Sequence, residues 1–139
     1  MVTLEEARAI VRGTLEKGAG MGLKPLTIVV LYAGGHVVAA ERSDGASPGR
    51  FAIAEGKAYG AVMLGMPGSA QMQRAEDQAY FMAAVNGVYG GKVVPVPGGV
   101  LLRRGDRVIG AVGVTGDTSD NDAEAAMAGI EAAGLTGQA

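Results

Sequence analysis

Two apolar segments joined by a pair of glycines decide the fold: TIVVLYAGGHVVAAERSDGA, residues 27–46. Residues 26–33 and 36–42 are rich in β-branched and apolar side chains, a composition that predicts two β-strands. The Gly34-Gly35 pair predicts a two-residue type I′ turn between them, because that turn requires positive φ at both central positions. The stretch is therefore expected to form an antiparallel hairpin.

The predicted turn also sets the register of the hairpin. It places Thr27 opposite Arg42 and Leu31 opposite Val38, with these side chains on one face of the sheet. Alternate residues of the first strand point to opposite faces of the sheet, and the residues on both faces are mostly apolar. We therefore expect both faces of that strand to be covered, by helices or by another subunit.

Helices and a second hairpin surround this stretch. Thr3 and Glu6 form the capping-box pattern that starts a first helix. The other predicted elements are a helix from Ser47-Pro48 to Pro67-Gly68, a third helix over 69–88, a loop or edge segment over 92–99, a hairpin of Val100–Arg103 with Arg107–Val114, and a last helix capped within 119–122. Strands that arrive in hairpins predict an α+β fold, an antiparallel sheet of about five strands flanked by helices.

The composition excludes several classes of function. The 139 residues are 48% hydrophobic and 19% charged, with a net charge of −2 and no cysteine. So few charges on a single domain, residues 1–139, predict that further copies cover apolar surface in a homo-oligomer. The lack of a basic patch argues against nucleic acid, and the lack of thiols excludes disulfides and thiolate chemistry. With no apolar run of roughly 20 residues and no signal-peptide pattern, no membrane partner is expected and the expected location is the cytoplasm.

The only histidine, His36, directly follows the two glycines. One interpretation is a solvent-exposed or interface residue beside a turn. The other is an axial ligand of haem iron, because a neutral imidazole nitrogen is a good donor to haem. Arg42 is six residues further along, about 20 Å in an extended strand, so these two side chains are not expected to share one small site.

A second candidate site combines Arg42 and Asp44 with Lys57 and Tyr59 on the following helix. Arg42 can clamp a carboxylate with two hydrogen bonds, and Asp44 can orient the guanidinium group. Lys57 interrupts a stripe of small apolar residues, where partial burial would lower its pKa and let it act as a base. The alternatives are a turn with local ion pairs and a lysine whose stem lies along apolar surface while its ammonium reaches water.

Two weaker patterns lie further along the chain. Gly98 and Gly99 follow two prolines, and their amides can form a nest that binds an anion, although a simple turn explains them equally. Asp117, Asp120 and Asp122 resemble a loop for a hard cation but lack the full EF-hand pattern. Acidic residues at a helix start are also favoured by the helix dipole alone.

Four segments in the same order resemble one known family, the haem-degrading domain family, also called GlcG/HbpS-like. They are VVLYAGGHVVAAERSDGASPG, IAEGKAYGAV, VPVPGGVLL and VIGAVGVTG, which together span most of the chain. The resemblance implies a profilin-like sandwich assembled into dimers or higher oligomers up to an octamer. Some members bind haem, some related domains are fused to corrinoid adenosyltransferases, and others are encoded beside enzymes of small-acid or aromatic catabolism.

The chain departs from the family at Tyr32, where a V-V-D-x-G-G run commonly carries aspartate. A phenol is neutral at pH 7, can donate a hydrogen bond and can ligate iron, so it changes the charge of any pocket there. The leading hypothesis is a protein that binds haem or another anionic ligand near a subunit interface through Arg42, Asp44, Lys57, Tyr59, Gly98 and Gly99, with His36 on the iron. The competing hypothesis is a cofactor-independent lyase, isomerase or hydrolase of a small carboxylic acid, in which Lys57 or Tyr32 moves the proton. A third is an interaction subunit without a ligand.

Overall fold

An antiparallel sheet of five strands forms the centre of the computed structural model, which describes residues 1–139. The strands lie in the order β2-β1-β4-β3-β5, and helices cover both faces of the sheet. The strands are β1 Thr27–Tyr32, β2 Val37–Arg42, β3 Gly99–Arg104, β4 Arg107–Thr115 and β5 Thr136–Gln138. The helices are α1 Leu4–Gly20, α2 Arg50–Leu64, α3 Gly68–Asp77, α4 Ala79–Val88 and α5 Ser119–Ala132. The predicted α+β fold is confirmed, and none of the helices could span a bilayer.

The core lies in two layers, one on each face of the sheet. Helices α1 and α5 pack against one face, on which β1 contributes Ile28 and Val30. Helix α2 covers the other face with Ala54, Ala58 and Ala61 against residues such as Val29 and Leu31. Because β1 is apolar on both faces, the expectation that both would be covered is confirmed within one chain.

Close packing of α2 on the sheet depends on small residues. A Cβ built on Gly113 of β4 would lie 1.8 Å from the carbonyl oxygen of Ala54. Only glycine therefore allows the backbone of α2 to approach β4 this closely. The short side chains of α2 bring Lys57, which lies in the same helix, down to the level of the sheet.

The turn between β1 and β2 differs from the prediction. Only Gly35 has positive φ, at 85°, and its amide donates to the carbonyl of Tyr32 at 2.9 Å. The amide of Tyr32 in turn donates to the carbonyl of His36 at 3.2 Å. The prediction of a type I′ turn is wrong, because the loop is the three-residue kind that ends in one left-handed residue.

The longer loop shifts the register near the turn. Thr27 lies opposite Arg42 as predicted, but Leu31 lies opposite Val37 instead of Val38. Val38 is thereby left as the extra residue of a bulge in β2, which restores the predicted register beyond it. The side chains at the far end of the hairpin keep the predicted pairing.

Three further boundaries differ from expectation. Helix α2 begins at Arg50, and its N-cap residue, Gly49, has no side chain to make a capping hydrogen bond. Ser47-Pro48 therefore belongs to the preceding turn. The predicted third helix is two, because Gln78 leaves helical geometry with φ −141° and ψ 65°. Helix α5 is capped by Thr118 outside the predicted cap range, and the short β5 follows it.

Candidate functional site

A buried ion pair links the two helical layers past the end of β4. The Lys57 Nζ atom lies 3.3 Å from the Asp122 Oδ2 atom, and both side chains are at most 3% exposed. Lys57 also donates to the carbonyl of Val114 at 2.9 Å, while Asp122 accepts from the amide of Asp117 at 2.9 Å. Thr118 caps α5, and Asp122 in the first turn of that helix directs its Oδ2 atom toward Lys57.

Burial shifts both groups of this pair toward their neutral forms. Loss of water lowers the pKa of Lys57, and the charge of Asp122 opposes that shift. Burial likewise raises the pKa of Asp122, against the hydrogen bond from Asp117 and the charge of Lys57. The lowered pKa that the sequence analysis expected of Lys57 is therefore present, but the ammonium group is already bonded to the protein.

A cleft of about 210 Å³ lies on the outer side of the Gly98-Gly99 segment. Its lining residues are Ser69, Pro97, Gly98, Gly99, Asp120, Ala123 and Ala139. Gly98 has φ +108°, and a Cβ built on it would lie 2.8 Å from the Lys57 Nζ atom. The structure thus brings Lys57 next to Gly98, although the lysine does not line the cleft.

Arg42 and Lys57 do not meet in a common hollow. Arg42 lies exposed on the edge strand β2, where its guanidinium group donates to the carbonyl of Ala46. Asp44 is also exposed and lines a separate cleft of about 190 Å³ beside the end of α1. The ammonium group of Lys57 is instead buried between α2, β4 and α5.

Sequence reasoning missed a polar row near Arg42. Thr27 lies opposite both Arg42 and Thr115, so the three residues cross three neighbouring strands on one face. Arg50 donates to the Thr115 hydroxyl oxygen at 2.9 Å from the first turn of α2. Arg50 escaped notice because the helix was expected to begin at Ser47, although the predicted register already placed Thr27 beside Arg42.

The hairpin tip holds a second group of candidate side chains. The rings of Tyr32 and His36 lie 5.8 Å apart between centroids, and His36 is exposed. On the other side of the turn, a Cβ built on Gly35 would lie 2.6 Å from the methyl carbon of Met63. The tip therefore combines an imidazole and a phenol, both of which can ligate iron.

Tyr59 lies beside the hairpin tip, because a Cβ built on Gly35 would lie 3.6 Å from its ring. Its ring packs edge-on against Tyr89 at 5.9 Å, and the Lys92 ammonium group lies 4.5 Å from the ring centroid. This contact is a cation–π interaction. The predicted group of Arg42, Asp44 and Tyr59 does not form, because Tyr59 lies at the hairpin tip with Tyr89 and Lys92.

The acidic residues around the start of α5 bond to the chain itself. Asp117 accepts hydrogen bonds from Asn121, from the amide of Lys24 and from the amide of Thr118, which lower its pKa to about 2. No three His, Cys, Asp or Glu side chains come together in an arrangement that could hold a metal ion. Asp120, the third member of the predicted cluster, lines the cleft at Gly98.

Comparisons with known proteins agree on one family. A family model described as "Haem degrading protein HbpS-like" matches residues 2–131. No curated protein matches the chain.

Solved structures with the same fold cover nearly the whole chain. The structure of PduOC in complex with haem is 21% identical, covers 96% of each chain and has a TM-score of 0.86. Protein ORFY of Klebsiella pneumoniae is 21% identical over 96% of this chain and 90% of its own, with a TM-score of 0.87. HbpS is 25% identical over 94% of this chain and 88% of its own, with a TM-score of 0.82.

Proposed function

The chain belongs to the HbpS-like family of haem-degrading proteins, and from that premise we propose that it binds haem, an anionic ligand, near a subunit interface. His36 would be the iron ligand. The observation that carries this proposal is the exposed imidazole at the hairpin tip, with the ring of Tyr32 beside it. Haem supplies one-electron chemistry at its iron, and the chain supplies the ligand, the orientation and the surrounding charge.

The donor set at the tip fits haem iron. A neutral imidazole nitrogen is the commonest protein ligand of haem, and phenol oxygen also serves. Tyr32 packs against the core layer that contains α1 and α5, so its ring lies on the α1 side of the sheet. Val38 and Ala39 of β2 also pack on that layer, whereas Val37, which is 42% exposed, pairs with Leu31 and so lies on the α2 side of the sheet.

Cations for the haem propionates are available on α1. The amide of Val2, just before α1, donates to the carbonyl of Ile109. Ile109 is next to Gly110, which lies opposite Tyr32. Helix α1 therefore starts at the same end of the sheet as the hairpin tip. Arg8 and Arg12 line an open groove of about 420 Å³ on α1. Guanidinium groups bind carboxylates with two parallel hydrogen bonds.

One chain does not enclose this site. None of the four clefts is lined by His36. A haem on His36 would therefore keep one face in water unless a second copy covered it. Exposed apolar residues near the tip, Val37 and Leu4, support such a contact. We propose that the second wall of the site comes from another subunit.

The alternative function, proton transfer on a small carboxylic acid, is favoured by the lowered pKa of Lys57. Its two candidate catalytic residues lie far apart, however. Tyr32 is opposite Gly110, and Lys57 bonds Val114, four residues further along β4. Four residues of strand span about 14 Å, so one small acid would not contact both side chains. The haem proposal is therefore better supported.

Absorbance titration with ferric haem tests the proposal. We expect the Soret band to shift and to saturate at micromolar haem with the wild-type protein. His36→Ala should weaken binding by about tenfold or more, and added imidazole should restore the wild-type spectrum. Thr136→Ala, a change at an exposed position of β5, serves as the control and should bind as the wild type does.

Two outcomes would overturn the proposal. An unchanged Soret band in wild-type protein would show that haem is not the ligand. An unchanged affinity and spectrum in His36→Ala would show that the iron ligand lies elsewhere.

A further inference from the structure

The polar row at the end of the sheet faces α2. Thr27 shares its face with Val29 and Leu31, the β1 residues that pack against that helix. Arg42 and Thr115, which lie directly opposite Thr27, point to the same face. Arg50, in the first turn of α2, donates to Thr115 across this row. Arg42, Thr27 and Thr115 therefore occupy neighbouring positions on the α2 side of the sheet, and Arg50 joins them through its bond to Thr115.

The hydroxyl group of Thr27 is buried without a partner. The residue is 1% exposed, and its Oγ1 atom makes no hydrogen bond. Buried hydroxyl groups are nearly always bonded, because leaving one unpaired costs free energy. An unsatisfied hydroxyl between two arginines is thus a vacant donor toward a negatively charged group.

No carboxylate neutralises the two arginines. The three ion pairs of the protein are Lys57–Asp122, Lys92–Glu55 and Arg104–Glu6. Glu41, the neighbour of Arg42, lies opposite Ile28 and so faces the other side of the sheet. Asp44 makes no ion pair, and Asp117 accepts bonds from Asn121 and from the amides of Lys24 and Thr118. Neither Arg42 nor Arg50 therefore has a carboxylate within ion-pair distance.

The start of α2 adds to the attraction for an anion. Its N-cap, Gly49, supplies no side-chain hydrogen bond, and the first turn contains no acidic residue. Free amides at a helix N-terminus and the helix dipole both favour negative charge. This helix start lies beside Arg50, which bonds to Thr115 in the row that also contains Thr27 and Arg42.

We propose that this place binds a small oxyanion, the carboxylate or phosphate group of a ligand. Arg42 is held by its bond to Ala46 and keeps free N–H groups. Arg50 would exchange its bond to Thr115 for the anion, and the Thr27 hydroxyl would donate to the innermost oxygen. The row lies five residues of β1 from Tyr32, about 17 Å, so the site is separate from the haem proposal and does not depend on it.

Titration with inorganic phosphate and with acetate, followed by amide chemical shifts, tests this site. Shift changes should saturate and centre on Thr27, Arg50 and Phe51. Arg50→Gln should weaken binding by about tenfold, the loss expected when one charge-assisted hydrogen bond is removed. Arg107→Gln changes an exposed arginine at the opposite end of β4 and should bind both anions as the wild type does. The anion that binds with the higher affinity identifies the chemical group that the site prefers.

Thr27→Val separates binding from folding. The substitution keeps the shape of the side chain and removes the unpaired hydroxyl, so it should keep or raise the melting temperature without anion. It should also lose the added stability that phosphate or acetate gives the wild type. Equal binding by Arg50→Gln and wild type, or full anion response in Thr27→Val, would overturn the proposal. Haem titration of the same variants should be unchanged, which separates the failure of this site from the failure of the haem site.

Discussion

Removing one partner of the Lys57–Asp122 pair should destabilise the protein strongly. In Asp122→Ala the ammonium group of Lys57 stays buried, with the carbonyl of Val114 as its remaining partner. Breaking a buried pair in this way costs about 3–5 kcal/mol. A typical domain has a total stability of about 5–15 kcal/mol. The melting temperature should therefore fall by about 10–20 °C, measured by circular dichroism together with urea unfolding.

Replacing both partners should recover most of this loss. The variant Lys57→Met with Asp122→Leu removes both buried charges, and such replacements are often neutral or stabilising. The pKa shifts of the two groups also indicate that burial of their charges is unfavourable. The raised pKa of Asp122 means that its contribution to stability is lost as pH rises through the folded value. The lowered pKa of Lys57 means that its contribution is lost as pH falls through the folded value. Both shifts have the same cause, because burial opposes the charged form of each group.

Two results would refute this reasoning. If Asp122→Ala loses less than about 1 kcal/mol, the value typical of an exposed pair, the pair is not buried as described. A double variant as unstable as the single one would show that the loss comes from packing, because the two changes would then not compensate each other.

The remaining predictions concern packing, acid stability and assembly. Gly113→Ala should cost about 1–3 kcal/mol in urea unfolding, because its Cβ would meet the Ala54 carbonyl; an unchanged midpoint would contradict the close approach of α2. The Asp117 carboxylate, with its pKa lowered from 3.8 to about 2, should contribute stability above pH 4 that is lost as pH falls through about 2. Asp117→Asn should flatten that dependence in acid unfolding curves, and an equally steep curve would argue against it. The protein should be an oligomer at tens of micromolar in light scattering and should dissociate in Val37→Glu, whereas a monomeric wild type would contradict the interface at the tip.

Local patterns predicted four of the five strands, but not β5 and not every turn and boundary. The two apolar segments, their covered faces and the Thr27–Arg42 pairing follow from alternation and from hairpin geometry. The turn type did not, because Gly34 and Gly35 look alike in sequence while only Gly35 takes positive φ. Gln78 gave no sign of the break between α3 and α4, since it is neither glycine nor proline.

The candidate sites depend on contacts between distant residues, which no local pattern contains. Asp122 fits the acidic pattern of any helix start, and its partner lies 65 positions earlier. The stripe of small residues around Lys57 predicted its burial, but not the carboxylate that meets it. The family resemblance predicted the fold correctly. It did not bring Arg42 and Lys57 together, because a shared fold fixes the backbone more closely than side-chain contacts.

The haem ligand can be tested directly because the chain has one histidine. Protein grown with ¹⁵N-labelled histidine and loaded with ferric haem can be measured by electron spin-echo envelope modulation. We predict nitrogen modulation from an iron-bound imidazole that changes with the label, which assigns the ligand to His36. A ferric haem complex whose modulation is identical in labelled and unlabelled protein would contradict the account.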